Sequence, residues 1–253
     1  MNTADEPRSY VQSLDLPELR SGFASFAIGA EPQFSSRPQA LAVGSQLAEF
    51  SGDVDPEARA AVADSLLIAQ LAANKAADQE ADVLAWYRKY IEVLQGVGWL
   101  VGALEFESQT VSDLNADVHR AIVPVLTAML GPAAAATSLV LTVLSGLESM
   151  NRDSPWIAAF DRASRHASGA KFQVSQVDVA QGGDPRITAL CFGIEAKRTV
   201  TQVLFFSFSN SSAELKKAQG TLSMPASRLL ASSGVIAERV RPFVTDYVRN
   251  IDI

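Results

Sequence analysis

Few side chains in this 253-residue sequence can do nucleophilic or acid–base chemistry at neutral pH: one cysteine, Cys191, and two histidines, His119 and His166. A thiolate beside an imidazole makes a nucleophile, so Cys191 and His166 are the pair to weigh. The cysteine lies in Ile187–Ile194, which is apolar on both faces of a strand. Ile187, Ala189, Cys191 and Gly193 point one way; Thr188, Leu190, Phe192 and Ile194 point the other. Such a strand is central and covered on both sides. A thiol buried there without a positive neighbour has a raised pKa and low reactivity. His166 falls at a helix end, where an imidazole complements the negative terminus. The chain has no His-Glu-x-x-His metal site, no Gly-x-Ser-x-Gly elbow, no phosphate-cradling glycine loop and no paired-cysteine metal site. These residues favour a non-enzymatic role without metal, with a cysteine-dependent acyl hydrolase or acyltransferase as the enzymatic alternative. Cys191 reads first as an inert core thiol. Against that, the small residues Ala189 and Gly193 leave room beside the sulfur, and what fills it should be apolar.

Composition narrows the partners. The net charge of −7 argues against non-specific binding to nucleic acid, which rests on Lys and Arg neutralising phosphates, and against electrostatic attraction to anionic lipid. At 48% hydrophobic and 19% charged residues the chain reads as globular and somewhat apolar. A single cysteine excludes an internal disulfide. The amino terminus, Met1-Asn-Thr-Ala-Asp-Glu-Pro7, is acidic and lacks a signal core, so synthesis in the cytoplasm is expected, with export by a non-classical route or membrane association to follow.

The elements that must position Cys191 read as one domain over residues 1–253. Residues 1–50 are irregular, broken by Pro7, Pro17, Pro32 and Pro38, with a short helix at Leu16–Phe26. Residues 55–168 are helical. Asp55-Pro56-Glu57 starts a helix running to about Lys75. Val83, Tyr87, Tyr90, Ile91 and Leu94 mark the face of a second. A further helix covers Pro155–His166. Residues 170–253 hold strands and a C-terminal helix. Strands are predicted from Phe172, over Ile187–Glu195 and over Thr199–Ser209, with a turn at Gln181–Pro185 and a hairpin through Ala196-Lys197-Arg198. Ala213–Met224 is a fourth strand or a loop. A stripe from Val240 to Ile251 docks the C-terminus, with a break at Pro242. The fold class is α/β of the α+β type: a helix-rich body, a small, largely antiparallel sheet in the C-terminal half and a C-terminal helix.

From Ala121 to Leu147 no side chain is charged. The run is long enough to cross a bilayer, but Pro124 and Gly131-Pro132 interrupt it, leaving segments too short to span alone. It reads as a buried helical hairpin, with a membrane-inserting hairpin of the pore-forming kind as its rival. Its small-residue face also suits a wall against which another group lies.

Several segments together resemble the bacterial virulence factor Evf family: Leu66-Leu-Ile-Ala-Gln-Leu-Ala-Ala-Asn-Lys75, Trp86-Tyr87 through Tyr90, Val93-Leu94 to Gly98-Trp99, Ala189-Leu-Cys-Phe-Gly193 and Leu204-Phe-Phe-Ser-Phe-Ser209. The likeness spans roughly residues 60–253 and leaves the N-terminus unmatched. It implies a compact α/β virulence or toxin-like protein whose cysteine carries covalent palmitate, with the fatty acid in an internal tunnel and a host membrane or gut target as partner. Cys191 is the position that would carry it. Ala189, Gly193, Ala135, Leu139 and Val143 are the expected tunnel lining. At about 0.8 kcal/mol per buried methylene, a palmitoyl chain is worth on the order of 10 kcal/mol away from water. Exposed, one chain gives marginal membrane attachment without a basic patch. The chain is therefore expected inside the protein.

Overall fold

The computed structural model describes residues 5–18, 32–77, 82–102, 106–110, 116–166, 169–196, 200, 202–208 and 213–251. In chain order these form α1 (Asp5–Ser13), β1 (Gln39–Val43), β2 (Gln46–Phe50), α2 (Pro56–Ala76), α3 (Val83–Val97), β3 (Leu100–Val101) and β4 (Glu107–Thr110). There follow α4 (Val118–Ala135), α5 (Leu139–Gly146), a single 3₁₀ turn at Leu147–Ser149, α6 (Pro155–Ser164), β5 (Arg165–His166), β6 (Gly169–Val179) and β7 (Pro185–Glu195). The chain closes with β8 (Glu214–Ser223), α7 (Ala226–Tyr247) and β9 (Val248–Asn250).

The fold is α+β, with one sheet between two helical layers. The sheet runs β3-β8-β7-β6-β2-β1-β9, with β4 on β8 and β5 on β6. All of its pairings are antiparallel except β2 with β6. Its three long strands, β6, β7 and β8, come from the C-terminal half, and Cys191 sits in the middle one. Leu41, Val43, Ala48, Phe50, Val177, Ile187, Ala189, Cys191, Ala218 and Leu222 pack under α2, α3 and α7. Ala40, Ala42, Leu47, Phe172, Val174, Leu190, Phe192 and Ile194 pack on the opposite face under α4, α5 and α6.

Local chemistry explains the helices. Asp55 accepts from the Ala58 N–H and Pro56 opens α2. Asp82 caps α3, and Gly98 ends it at φ 117°, a left-handed C-cap. The uncharged run forms an antiparallel hairpin, and the two charges that bracket it, Arg120 and Glu148, pair with each other. Gly131 leaves the helical region (φ 75°, ψ 163°), yet the reversal comes at 136–138, one turn later than Gly131-Pro132 predicted.

Four expectations are corrected. Residues 39–50, expected irregular, form β1 and β2, joined by a two-residue turn at Gly44-Ser45 with Gly44 at φ 56°. The described part of the predicted strand Thr199–Ser209, residues 200 and 202–208, makes turns and one isolated bridge, Asp117 with Ser207, and no strand. There the Val118 and His119 N–H groups donate to Phe206 and Leu204 carbonyls, and the Asp161 carboxylate accepts from the Val203 N–H, so that backbone is tied to helix ends instead of a ladder. The partner of β7 is β8, which settles Ala213–Met224 as a strand. Finally, α7 runs unbroken through Pro242, whose ring lies on the exposed side. The predicted helix at Leu16–Phe26 and the turn at Lys197-Arg198 lie mostly outside the described residues.

Candidate functional site

Cys191 lies opposite Gln173 of β6 and Ala218 of β8, with its side chain under the α2–α3 hairpin. It is 2% exposed, and burial pushes its thiol up to about 12. His166 does not reach it. His166 is opposite Gly169, four residues along β6 from Gln173, or about 14 Å of strand. His119 is buried on the other face of the sheet, its Nδ1 2.8 Å from the Leu204 carbonyl. The thiol thus has neither histidine as base, and Cys191 and His166 do not form a dyad.

Beside Cys191 is a small void of about 10 Å³, room for roughly one water. Its floor follows the sheet register from Cys191 through Ala189 and Gly220 to Ile187 and Leu222. Its roof is Leu66 from α2 with Tyr90, Ile91 and Leu94 from α3. Its wall towards β2 is polar, made by Gln46 and Gln173. One end therefore offers a thiol, two amides and a phenol, while the other is hydrocarbon.

The polar end belongs to a buried network. The Ser45 N–H and hydroxyl donate to Gln70 Oε1 (2.8 and 3.0 Å), and the hydroxyl also lies 3.3 Å from Gln173 Oε1. Gln173 Nε2 donates to the Tyr87 oxygen (3.1 Å), and that hydroxyl donates to the Phe172 and Phe192 carbonyls (2.8 and 2.9 Å). Separately, the Tyr90 hydroxyl donates to Gln46 Oε1 (3.1 Å), and Gln46 Nε2 to Ser175 Oγ (2.8 Å). Burial and the neighbouring Cys191 raise both tyrosines well above their usual range. Further along the same face, Lys171 donates to the Ala163 carbonyl (2.6 Å) and lies 4.4 Å from the centre of the Trp86 ring. Burial lowers its amine to about 7.

The structure divides the expected lining. Ala189 lies on the cavity floor beside Cys191. Gly193 shares their face but has no open space: a Cβ there would stand 2.8 Å from Val83 Cγ1. Ala135, Leu139 and Val143 are across the sheet, in the α4–α5 layer. The strand pleat turns Cys191 away from that layer. A second void of about 10 Å³ lies there, where the Glu49 carboxylate accepts from Ser138 Oγ (2.6 Å) and from the Leu139 and Val140 N–H groups (3.1 and 3.2 Å). Glu49 thereby neutralises the start of α5.

Sequence reasoning missed Gln46, Leu66, Tyr90, Ile91, Leu94, Gln173 and Gly220 as cavity residues. The alternation Lys171, Gln173, Ser175 against Phe172, Val174 imitates a strand with one solvent face, and nothing local shows that helices cover it.

No protein-family model matches the chain, and no curated protein matches it. Among solved structures the chain is similar to a delta-endotoxin, with a TM-score of 0.39 and 16% identity over 83% of this chain and 91% of that one. It is similar to the activated Cyt2Ba monomer from Bacillus thuringiensis subsp. israelensis, with a TM-score of 0.35 and 13% identity over 70% and 96%. It is also similar to the Evf virulence factor, with a TM-score of 0.35 and 10% identity over 100% and 92%.

Proposed function

We propose that this chain is a virulence or toxin-like protein S-acylated at Cys191, with the acyl chain lying between the α2–α3 hairpin and the sheet. The observation that carries the reading is the cavity beside the thiol, polar at the cysteine end and hydrocarbon beyond it. The virulence class rests on the residue resemblance; the segments that carry it supply Leu66, Tyr90, Leu94, Ala189 and Cys191 to this cavity.

The thioester forms by transfer from an activated acyl thioester. The Cys191 Sγ–acyl bond forms, the donor's carbon–sulfur bond breaks, and the donor thiol leaves with the Cys191 proton. Under the closed hairpin the thiol is neutral and covered, so transfer occurs before α2 and α3 dock on the sheet. The closed cavity is small for a sixteen-carbon chain, and the loaded protein therefore holds α2–α3 further from the sheet.

The test is the intact mass of the purified protein before and after hydroxylamine. A long-chain acyl increment that hydroxylamine removes supports the reading; an unmodified mass rejects it. A second reading has its own observation. Helix α4 is long and apolar enough by length and composition to cross a membrane, and 28% of it is buried. A membrane-inserting hairpin predicts dye release from liposomes, and absence of release at every pH ends it.

A further inference from the structure

A helix that is apolar all round belongs in a core or against a membrane. Among the described residues α4 is the one helix of that length and composition, and only 28% of it is buried. Val118, Ile122 and Leu126 are its inner side, packed in the layer that covers Phe172 and Phe192. Its outer side meets water: Pro124, Thr127 and Ala128 are exposed, as are Pro132, Ala133 and Ala136 at the turn. From Ala121 to Leu147 no side chain is charged or aromatic.

The hairpin is too short to span. Helix α4 reaches spanning length only by counting across Gly131, whose φ 75° and ψ 163° interrupt it. At 1.5 Å per residue the straight part, 118–130, measures about 20 Å, and the eight residues of α5 about 12 Å, against a hydrocarbon core of about 30 Å. The hairpin is also fastened. Glu49 on the sheet accepts three hydrogen bonds at the start of α5. Lifting α5 away would strand that carboxylate and uncover Val140, Leu141, Val143 and Leu144. Contact with lipid therefore leaves the hairpin in place.

The chemistry of the face selects its partner. Protein interfaces are held by aromatic and arginine anchors, and this face has neither. Hydrocarbon asks only that no charge be desolvated. With no basic residue on the face and a net charge of −7, anionic headgroups are not attracted, so the fitting surface is zwitterionic. The Arg120–Glu148 pair lies at the end of the hairpin away from the turn, which makes the turn the embedded end.

We propose that α4, from Ala121 through the turn at 131–137, is a membrane-contact face that lies in the interface of a zwitterionic bilayer while the hairpin stays docked on the sheet. This mode deepens the membrane reading of α4, replacing a spanning hairpin by an embedded one, and holds with or without an acyl group on Cys191. The protein behind α4 takes the place of the polar face of an interfacial helix.

The test uses the full chain and phosphatidylcholine vesicles. A polarity-sensitive fluorophore on Ala128→Cys or Ala133→Cys, with the covered Cys191 left in place, is expected to shift to the blue and to be quenched by lipids spin-labelled near the headgroup. The same probe on Ala231→Cys, exposed on α7, should show neither effect, and trapped dye should stay inside the vesicles. Ala128→Glu and Ala133→Glu should each weaken vesicle binding about tenfold, as a charge in the lipid-facing layer does, and Ala231→Glu should not. Absence of binding, or equal effects of all three Glu variants, overturns the contact face. Dye release overturns the embedded mode in favour of a spanning hairpin. Binding lost in Cys191→Ala shows that an acyl chain is the anchor and overturns the role of α4. Sedimentation of the lipid-free chain should give a monomer; a dimer that Ala128→Glu dissociates makes a second copy the occupant and overturns lipid.

Discussion

Gln173 and Cys191 are register partners in the β6–β7 ladder, and both side chains are buried beneath α2 and α3. An amide held by Ser45 and Tyr87 therefore faces a thiol that has no base. This pairing makes the neighbourhood of Cys191 a built polar end of an apolar cavity.

Acylation should be visible in stability. The acyl chain adds apolar burial worth about 0.8 kcal/mol per methylene withdrawn from water. Thermal unfolding of the acylated protein is expected at a higher midpoint than that of the hydroxylamine-treated protein. Cys191→Ala should resemble the treated form, and equal midpoints for all three would show that no chain is buried.

Gly193 is required by Val83. A methyl group at position 193 would stand 2.8 Å from Val83 Cγ1, too close for an ordinary contact. Gly193→Ala is expected to cost about 1–3 kcal/mol, the usual range for overpacking. The double variant Val83→Ala/Gly193→Ala should recover part of the overpacking penalty, as measured by urea unfolding.

Glu49 holds the start of α5. Its carboxylate accepts from Ser138 Oγ and from two helix N–H groups. Glu49→Ala leaves these donors buried without an acceptor and is expected to destabilise by about 2–4 kcal/mol. Hydrogen exchange should accelerate first over 139–146. Glu49→Gln, which keeps an acceptor oxygen, should cost less.

Buried Lys171 and half-buried Asp64 set opposite pH slopes. Lys171 falls from 10.5 unfolded to about 7 folded, so above pH 7 the unfolded chain binds the extra proton and stability rises with pH. The limit is about 1.4 kcal/mol per pH unit. Above 9 the raised Cys191 thiol opposes this gain. Asp64, raised by burial from 3.8 to about 6, works the other way: it favours the folded state as pH falls from 6 towards 4. Urea unfolding of Lys171→Met should lose the rise between pH 7 and 9. Asp64→Asn should gain more over wild type at pH 7 than at pH 4. Unchanged profiles would contradict both assignments.

By itself the sequence determined the helices α2, α3 and α6, the strands β6 and β7 with the turn at Gln181–Pro185 between them, and Cys191 as the thiol of a buried central strand. These rest on signals within one element: caps, 3.6-residue stripes and apolar alternation. The tertiary structure decided the rest, because which helix covers which face is set by packing between segments far apart in the chain. The α4–α5 hairpin, uncharged and small-faced, looked like the wall beside Cys191, yet it packs on the opposite side of the sheet. Gly44-Ser45 between the short segments Gln39–Val43 and Gln46–Phe50 was a readable hairpin signal that the surrounding prolines obscured. Lys171, Gln173 and Ser175 read as a solvent face. Only the docking of α2 and α3 buries them, turning Gln173 from a surface amide into a donor beside the cysteine.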